Sequence, residues 1–302
     1  MRYKRTLVTG GHGLVGCTIE SDFKPTSREL NLMNFDSISN YLKLHKIDSI
    51  IHCAAKVGGI GGNLDAPGEF FYQNIMINTN VLEAARVCGV KKVVSFLSTC
   101  VFPAEATYPL TPDQIHNGEP HTTNYPYASA KRMVDIMGRA YNQQYGSNFV
   151  TMIPCNVYGP NDNFDIRTGH VIPSIIHKCF LAKESGSDLN LWGTGKPLRE
   201  FIYSKDLGYL ARWALENYDD LEPLILSVDE EISIDKVARI ICKYIGFDGD
   251  INYSQRTEGQ HRKPSDNSIL KEKVPNFRFT SIEEGLRETI QWFVDNYDTC
   301  RK

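Results

Sequence analysis

Thr6-Leu7-Val8-Thr9-Gly10-Gly11-His12-Gly13-Leu14-Val15-Gly16-Cys17-Thr18-Ile19 is the stretch that decides the fold. A short apolar run leads straight into a turn with glycine at 10, 13 and 16, and the apolar residues beyond read as the start of a helix. Gly-x-x-Gly-x-x-Gly between strand and helix suits a dinucleotide. One glycine permits the tight turn, another lets a pyrophosphate approach the backbone, and the helix N-terminus draws its negative charge. An ordinary glycine turn would carry the same letters. Its place at the first strand–helix turn favours the dinucleotide reading, with Gly10, Gly11, Gly13, Leu14, Val15 and Gly16 against the cofactor.

Further apolar runs follow at 49–55, 92–97 and 149–154, as expected of strands buried on both faces. Helix-like stretches lie between them at Phe35 to Leu44, Phe70 to Cys88 and Ala128 to Tyr145. The alternation predicts an α/β fold with a doubly wound parallel Rossmann sheet over residues 1–165. Beyond Pro160 the pattern loosens into loops, then resumes with helices near Pro173 to Leu181 and Ile234 to Ile245. Residues 166–302 are therefore expected to form a smaller C-terminal α/β substrate domain, with some strands free to return to the first sheet. No repeat or heptad run interrupts the chain.

A chain of 302 residues with 41% hydrophobic content can bury a substantial core. The 33 basic and 36 acidic residues leave a net charge of −3, which gives no footprint for nucleic acid or a membrane surface and directs attention to small molecules. The opening MRYKRTLVTGG is too short in apolar residues for a signal peptide or a spanning helix, so a cytoplasmic protein is expected. Eight cysteines show no Cys-x-x-Cys and no framework. Reduced thiols, most of them small buried hydrophobes, are the expectation.

In Tyr127-Ala128-Ser129-Ala130-Lys131 the spacing of four puts phenol and ammonium on one helix face. A lysine there would lower the phenol's pKa toward working pH, as proton donation to a reduced carbonyl requires. A helical surface pair is the competing reading, weakened by the position just before the 149–154 strand. Ser98 follows the 92–97 run at the carboxyl edge where such sheets bind ligands, and could polarise a carbonyl or simply cap the strand. For the adenosine ribose, Lys24, Ser27 and Arg28 stand where NAD enzymes carry a carboxylate, which suits the 2′-phosphate of NADP. Solvated loop charges would look the same.

These residues together resemble the extended short-chain dehydrogenase/reductases. Ser-Thr-Cys-Val-Phe-Pro at 98–103, Asn-Val-Tyr-Gly-Pro-Asn-Asp-Asn-Phe at 156–164, Gly-His-Val-Ile-Pro at 169–173 and Trp-Gly-Thr-Gly-Lys-Pro-Leu-Arg-Glu-Phe at 192–201 are similar to the GDP-L-fucose synthase family over nearly the whole chain. The resemblance implies conversion of GDP-4-keto-6-deoxy-D-mannose to GDP-L-fucose, by epimerisation at carbons 3 and 5 and NADPH-dependent reduction at carbon 4. It implies Ser98, Tyr127 and Lys131 as the reductive triad, and Cys100 and His170 as the proton-transfer pair. It adds Tyr127, Lys131, Asn156 and His170 to the NADP(H) contacts, sets Lys178, Trp192, Arg199 and Lys263 against the GDP-sugar, and suggests a homodimer. Lys178 departs from an arginine found in some members, and the stretch from Gly16 to Phe23 is short. The chemistry is consistent: a carbon 4 ketone acidifies the hydrogens on carbons 3 and 5, so an acid and a base can invert each centre.

Two other readings compete. A 4-epimerase or 4,6-dehydratase of the same superfamily would recycle its cofactor, but dehydratases carry an Asp-Glu pair where this chain has Cys100 and Val101. A dinucleotide-sensing scaffold would retain the glycine turn and lose the chemistry. Retention of Ser98, Tyr127 and Lys131 argues against it.

Overall fold

The computed structural model describes residues 2–254 and 261–302. Strand β1 (Thr6–Thr9) is buried at every residue. Helix α1 (Phe35–Leu44) starts at Asn34, whose side-chain oxygen accepts from the Ser37 amide at 2.8 Å, and it buries Ile38 and Leu42. After it come β2 (Ser49–His52), α2 (Ile60–Asp65), α3 (Pro67–Val87) and β3 (Lys92–Phe96). Helix α4 (Tyr125–Tyr145) takes Pro126 in its first turn, where no amide is needed, stops at Gly146 with φ 68°, and leads to β4 (Phe149–Pro154). The second half supplies β5 (Asn156–Tyr158), α5 (Val171–Ser185), β6 (Leu189–Trp192), β7 (Leu198–Arg199), β8 (Phe201–Tyr203) and α6 (Ser204–Asn217). It continues through β9 (Leu224–Leu226), β10 (Ile232–Ser233), α7 (Ile234–Ile245), β11 (Ile251–Ser254), α8 (Ser268–Lys273) and α9 (Ile282–Asp295).

The central sheet is parallel throughout, in the order β1-β2-β3-β4-β9. Strand β9 comes from beyond residue 165 and pairs with β4, Leu224 opposite Met152. Helix α6 covers one face with Leu207, Leu210, Ala211, Ala214 and Leu215, all fully buried. Burying each leucine contributes about 1.5–3 kcal/mol. The opposite face carries α1, α3 and α4, with Val81 and Val134 of the helices buried in one core with Ile50, Val93 and Phe149 of the sheet. A second core joins α5, α7 and α9 around Phe164, Ile176, Leu189, Ile241 and Phe293.

One expectation for the first crossover is corrected. The apolar residues after the glycine turn form a single 3-10 turn, Gly16–Thr18, and not a helix. The chain then returns to the sheet edge as one parallel bridge, Phe23 beside Leu7. The causes are length and packing. Of the connection between Thr9 and Phe23, the glycine turn takes residues 10–16, which leaves 17–22 for both a helix and the return, too short a run for a helix of even two turns. Thr18 then donates to the Val15 carbonyl at 2.7 Å and the Ser204 carbonyl at 3.2 Å. Helix α6 lies so close that a Cβ on Gly208 would meet the Thr18 hydroxyl at 2.1 Å. Burial of most cysteines is also corrected: Cys155, Cys179 and Cys242 are buried, whereas Cys17, Cys53, Cys88, Cys100 and Cys300 are half-buried.

Candidate active site

From β1 the chain crosses first to Phe23 on one side and next to β2 on the other, so the direction of winding reverses at the carboxyl ends of β1 and β2. Ligands of doubly wound sheets bind at such a reversal. A cavity of about 1060 Å³ opens there and runs toward α5, β6 and β7. Its wall brings together Gly10, Gly11, Gly13, Leu14, Val15, Gly16, Ser27, Ser98, Cys100, Tyr127, Lys131, Asn156, His170, Lys178, Trp192 and Arg199. Arg28 and Lys263 are not in that wall. Arg28 is exposed beside Ser27.

The glycine turn fits a dinucleotide. Gly10 has φ 65°, and a Cβ there would sit 2.8 Å from the Ala54 nitrogen; one on Gly16 would meet the Gly10 carbonyl oxygen at 2.3 Å. Both glycines are required by the turn itself. A Cβ on Gly13 meets nothing nearer than 3.4 Å, so the protein's own packing does not demand bare backbone there, and its absence keeps the cavity side open to a ligand. Lys24, a candidate for the 2′-phosphate, instead braces this turn, its stem against Gly11 and its ammonium donating to the Cys17 carbonyl at 3.3 Å.

Beneath the turn lies a buried polar chain. The Ala54 amide donates to Thr9 Oγ1 at 3.3 Å, Thr9 Oγ1 lies 2.7 Å from His52 Nδ1, and His52 Nε2 lies 3.1 Å from Asn78 Oδ1. Because the Asn78 oxygen can only accept, Nε2 carries the imidazole proton and Nδ1 accepts from Thr9. Burial, reinforced by the Lys131 charge, lowers the His52 pKa to about 3 and keeps the ring neutral.

Ser98 caps the short turn Thr99–Val101, accepting from the Cys100 amide at 3.3 Å. Arg132 of α4 clamps this turn, donating to the Val101 carbonyl at 2.6 Å and the Gly118 carbonyl at 2.7 Å. The same helix carries Tyr127 in its first turn and Lys131 one turn on. The expected lowering of the phenol's pKa by the lysine is corrected: burial, with a smaller effect of Cys100, pushes Tyr127 well above the ordinary phenol. The Lys131 ammonium donates to the Phe96 carbonyl at 3.0 Å, and burial lowers its own pKa to about 8. A phenol that holds its proton is suited to donating it.

His170 stands at the N-terminus of α5, exposed on the cavity wall, where desolvation by the surrounding protein holds its pKa below the ordinary value. At the far end the Lys178 ammonium lies 4.5 Å above the Trp192 ring, and Arg199 donates to the Leu198 carbonyl at 2.7 Å. Burial lowers the Lys263 pKa; Cys100 opposes the shift and Arg199 adds to it, so all three lie within electrostatic reach. Wall residues that were not singled out from sequence include His12, Asp162 and Arg301. Asp162 lies inside the quoted 156–164 block, but nothing in the letters marks it as buried. Its Oδ1 accepts from the Asn163 amide at 2.7 Å, and desolvation pushes the carboxyl up to about 7. For Arg301 the sequence holds no signal.

The model of the NAD dependent epimerase/dehydratase family matches residues 6–228. A GDP-L-fucose synthase of Dictyostelium discoideum is 47% identical, with 99% of this chain and 98% of that one covered. The GDP-L-fucose synthase of Escherichia coli is 30% identical over the full length of both chains, 100% of each. A crystal structure of a GDP-L-fucose synthetase from Naegleria fowleri bound to NADP has a TM-score of 0.93 at 38% identity, covering 99% of this chain and 95% of that one. On these likenesses the chain belongs to the NAD dependent epimerase/dehydratase family and, within it, to the GDP-L-fucose synthase family.

Proposed function

We propose that the protein converts GDP-4-keto-6-deoxy-D-mannose to GDP-L-fucose, epimerising carbons 3 and 5 and reducing carbon 4 in one cavity with NADP(H) as its cofactor. The observation that carries this is the convergence of Cys100, Tyr127 and His170 on one wall that runs from the glycine turn to Trp192 and Arg199. The relatives' names and the NADP in the Naegleria structure support it.

In this reading Gly10, Gly11, Gly13, Leu14, Val15, Gly16, Ser27, Arg28 and Asn156 hold the dinucleotide, which supplies the hydride for carbon 4. Cys100 and His170 act across the sugar ring. One removes the acidic proton at carbon 3 or 5, and the other returns a proton to the opposite face. Ser98 donates to the carbon 4 carbonyl oxygen, and Tyr127 gives that oxygen its proton. Lys131 holds positive charge beneath the phenol and contacts the cofactor. Lys178, Trp192, Arg199 and Lys263 bind the GDP-sugar, with guanidinium and ammonium on its diphosphate. Residues 1–165 carry the cofactor and residues 166–302 the sugar, while β9 completes the first half's sheet and α6 covers one of its faces.

A homodimer in the cytoplasm belongs to the same reading. Helices α3 and α4 expose Phe71, Tyr72, Met133 and Ile136, an apolar surface suited to a second copy, and a monomeric sedimentation value would contradict it. No described helix is long and apolar enough to cross a membrane. The function is tested by NADPH oxidation with a panel of 4-keto-6-deoxy nucleotide sugars. Stoichiometric oxidation with the GDP-mannose derivative is expected, and turnover without net oxidation would contradict it.

A further inference from the structure

The glycine turn lacks the helix that would ordinarily lend a diphosphate its positive end. Three residues of 3-10 turn carry no appreciable macrodipole, so two negative phosphates at Gly13 need charge from elsewhere. Several cations at the turn or on the cavity wall are committed or distant; Lys24 is bonded to the Cys17 carbonyl at 3.3 Å, and Arg167 faces Asp65 at 4.0 Å. Lys56 pairs with Glu69 at 3.1 Å, Lys131 is bonded to Phe96, and Lys178 and Arg199 belong to the end of the cavity near Trp192.

Arg301 is differently placed. It follows α9 and is fixed over the cavity by its own backbone, whose carbonyl accepts from the Phe164 amide at 2.8 Å. Its guanidinium donates to the Asn161 carbonyl at 2.7 Å, while the Asn161 side-chain amide reaches the Cys17 thiol at 3.5 Å. Asn161 thus links the guanidinium to the residue immediately after Gly16. One of the guanidinium's five N–H groups makes that bond, and the planar fork has others to offer a phosphate.

We propose that Arg301 binds the diphosphate of the dinucleotide, reaching the glycine turn from the chain's second half and replacing the charge that the shortened first helix does not supply. This rests on the reading of the cavity as an NADP(H) site. Asp162, beside Arg301 on the wall, stays partly protonated near neutrality because of its burial, so it does not cancel the guanidinium. The other diphosphate in the reaction is that of the GDP-sugar, and the test separates the two.

Equilibrium binding to the full chain is measured for NADPH, for 2′-phospho-ADP-ribose, for 2′-AMP, which has no diphosphate, and for GDP. Arg301→Gln should weaken NADPH and 2′-phospho-ADP-ribose about ten- to a hundredfold, as loss of a charge-assisted contact does. It should leave 2′-AMP and GDP within about twofold, a margin well below the loss of one such contact. Arg301→Lys, which restores the charge without the fork, should recover part of the affinity, and added salt should reduce the gap between wild type and Arg301→Gln. Unchanged NADPH affinity in Arg301→Gln, with tight binding by the wild type, overturns this inference alone. Loss of GDP in place of NADPH overturns it in favour of the substrate's diphosphate. Failure of the wild type to bind NADPH overturns both the inference and the functional reading beneath it.

Discussion

The Lys131 ammonium donates to the Phe96 carbonyl at 3.0 Å, so the lysine one helical turn after Tyr127 is held by the end of β3 and not by the phenol. Burial brings its pKa down to about 8. The charge is present below that value and lost as pH rises through it. The kcat/KM of the reduction, which reports groups of the free enzyme, should therefore decline above about pH 8. Lys131→Arg, which cannot lose its proton in this range, should remove that limb even if its rate is lower. A decline of the same shape in Lys131→Arg assigns the limb to another group.

Asp162 supplies a prediction on stability. Its carboxyl titrates at about 7 in the folded chain against an unfolded value near 3.8, so the folded state holds more protons between these values. Stability is then lost as pH rises from about 4 to about 7 and is level beyond. Asp162→Asn keeps the acceptor for the Asn163 amide and cannot ionise. It should melt higher than wild type at pH 8, by a margin that shrinks toward pH 4, with a limit of a few kcal/mol. An equal margin at both pH values would contradict the assignment.

Cofactor choice is tested at Arg28. It is exposed beside Ser27 and flanks the cavity without lining it, so a 2′-phosphate would have to draw its side chain inward. Arg28→Ala should weaken NADPH about tenfold or more and leave NADH nearly unchanged, the expected result of losing one charge-assisted hydrogen bond. Equal losses for both cofactors, measured by titration, would remove Arg28 from the 2′-phosphate site.

At the sugar end, Arg199→Ala should raise the KM for the GDP-sugar about ten- to a hundredfold with little change in NADPH affinity, since a charge-assisted contact is worth about 1.5–3 kcal/mol. Steady-state kinetics with both substrates varied would show it. An unchanged KM means that Arg199 only braces β7.

Much of this was legible before the structure. The doubly wound sheet could be read because buried parallel strands are continuous apolar runs, and β1 to β4 each begin within the runs that announce them. Ser98, Tyr127 and Lys131 could be read because the edge of a strand and a four-residue spacing both fix direction. The shortened first helix could not. Its apolar letters fit a helix, and only the packing of Thr18 under α6 and the return to Phe23 cut it to one turn. The Tyr127 phenol was read in the wrong direction because spacing says that a lysine is near, not what its ammonium is bonded to. Asp162 and Arg301 depend on contacts between distant segments, Asn161 with Cys17 and Phe164 with Arg301, which leave no local pattern.

The central claim is that one cavity holds two separable chemistries, and hydrogen exchange separates them. The 4-keto sugar nucleotide is incubated in deuterated water with each variant, while deuterium at carbons 3 and 5 and oxidation of NADPH are followed together. Tyr127→Phe should retain exchange and lose reduction by about 10²- to 10⁴-fold, the range for loss of a general acid. Cys100→Ala should lose exchange at one or both carbons by a similar factor, and whatever it still reduces should show incomplete epimerisation. Wild-type exchange in both Cys100→Ala and His170→Ala, with reduction also intact, would contradict the account and leave those two side chains as structure alone.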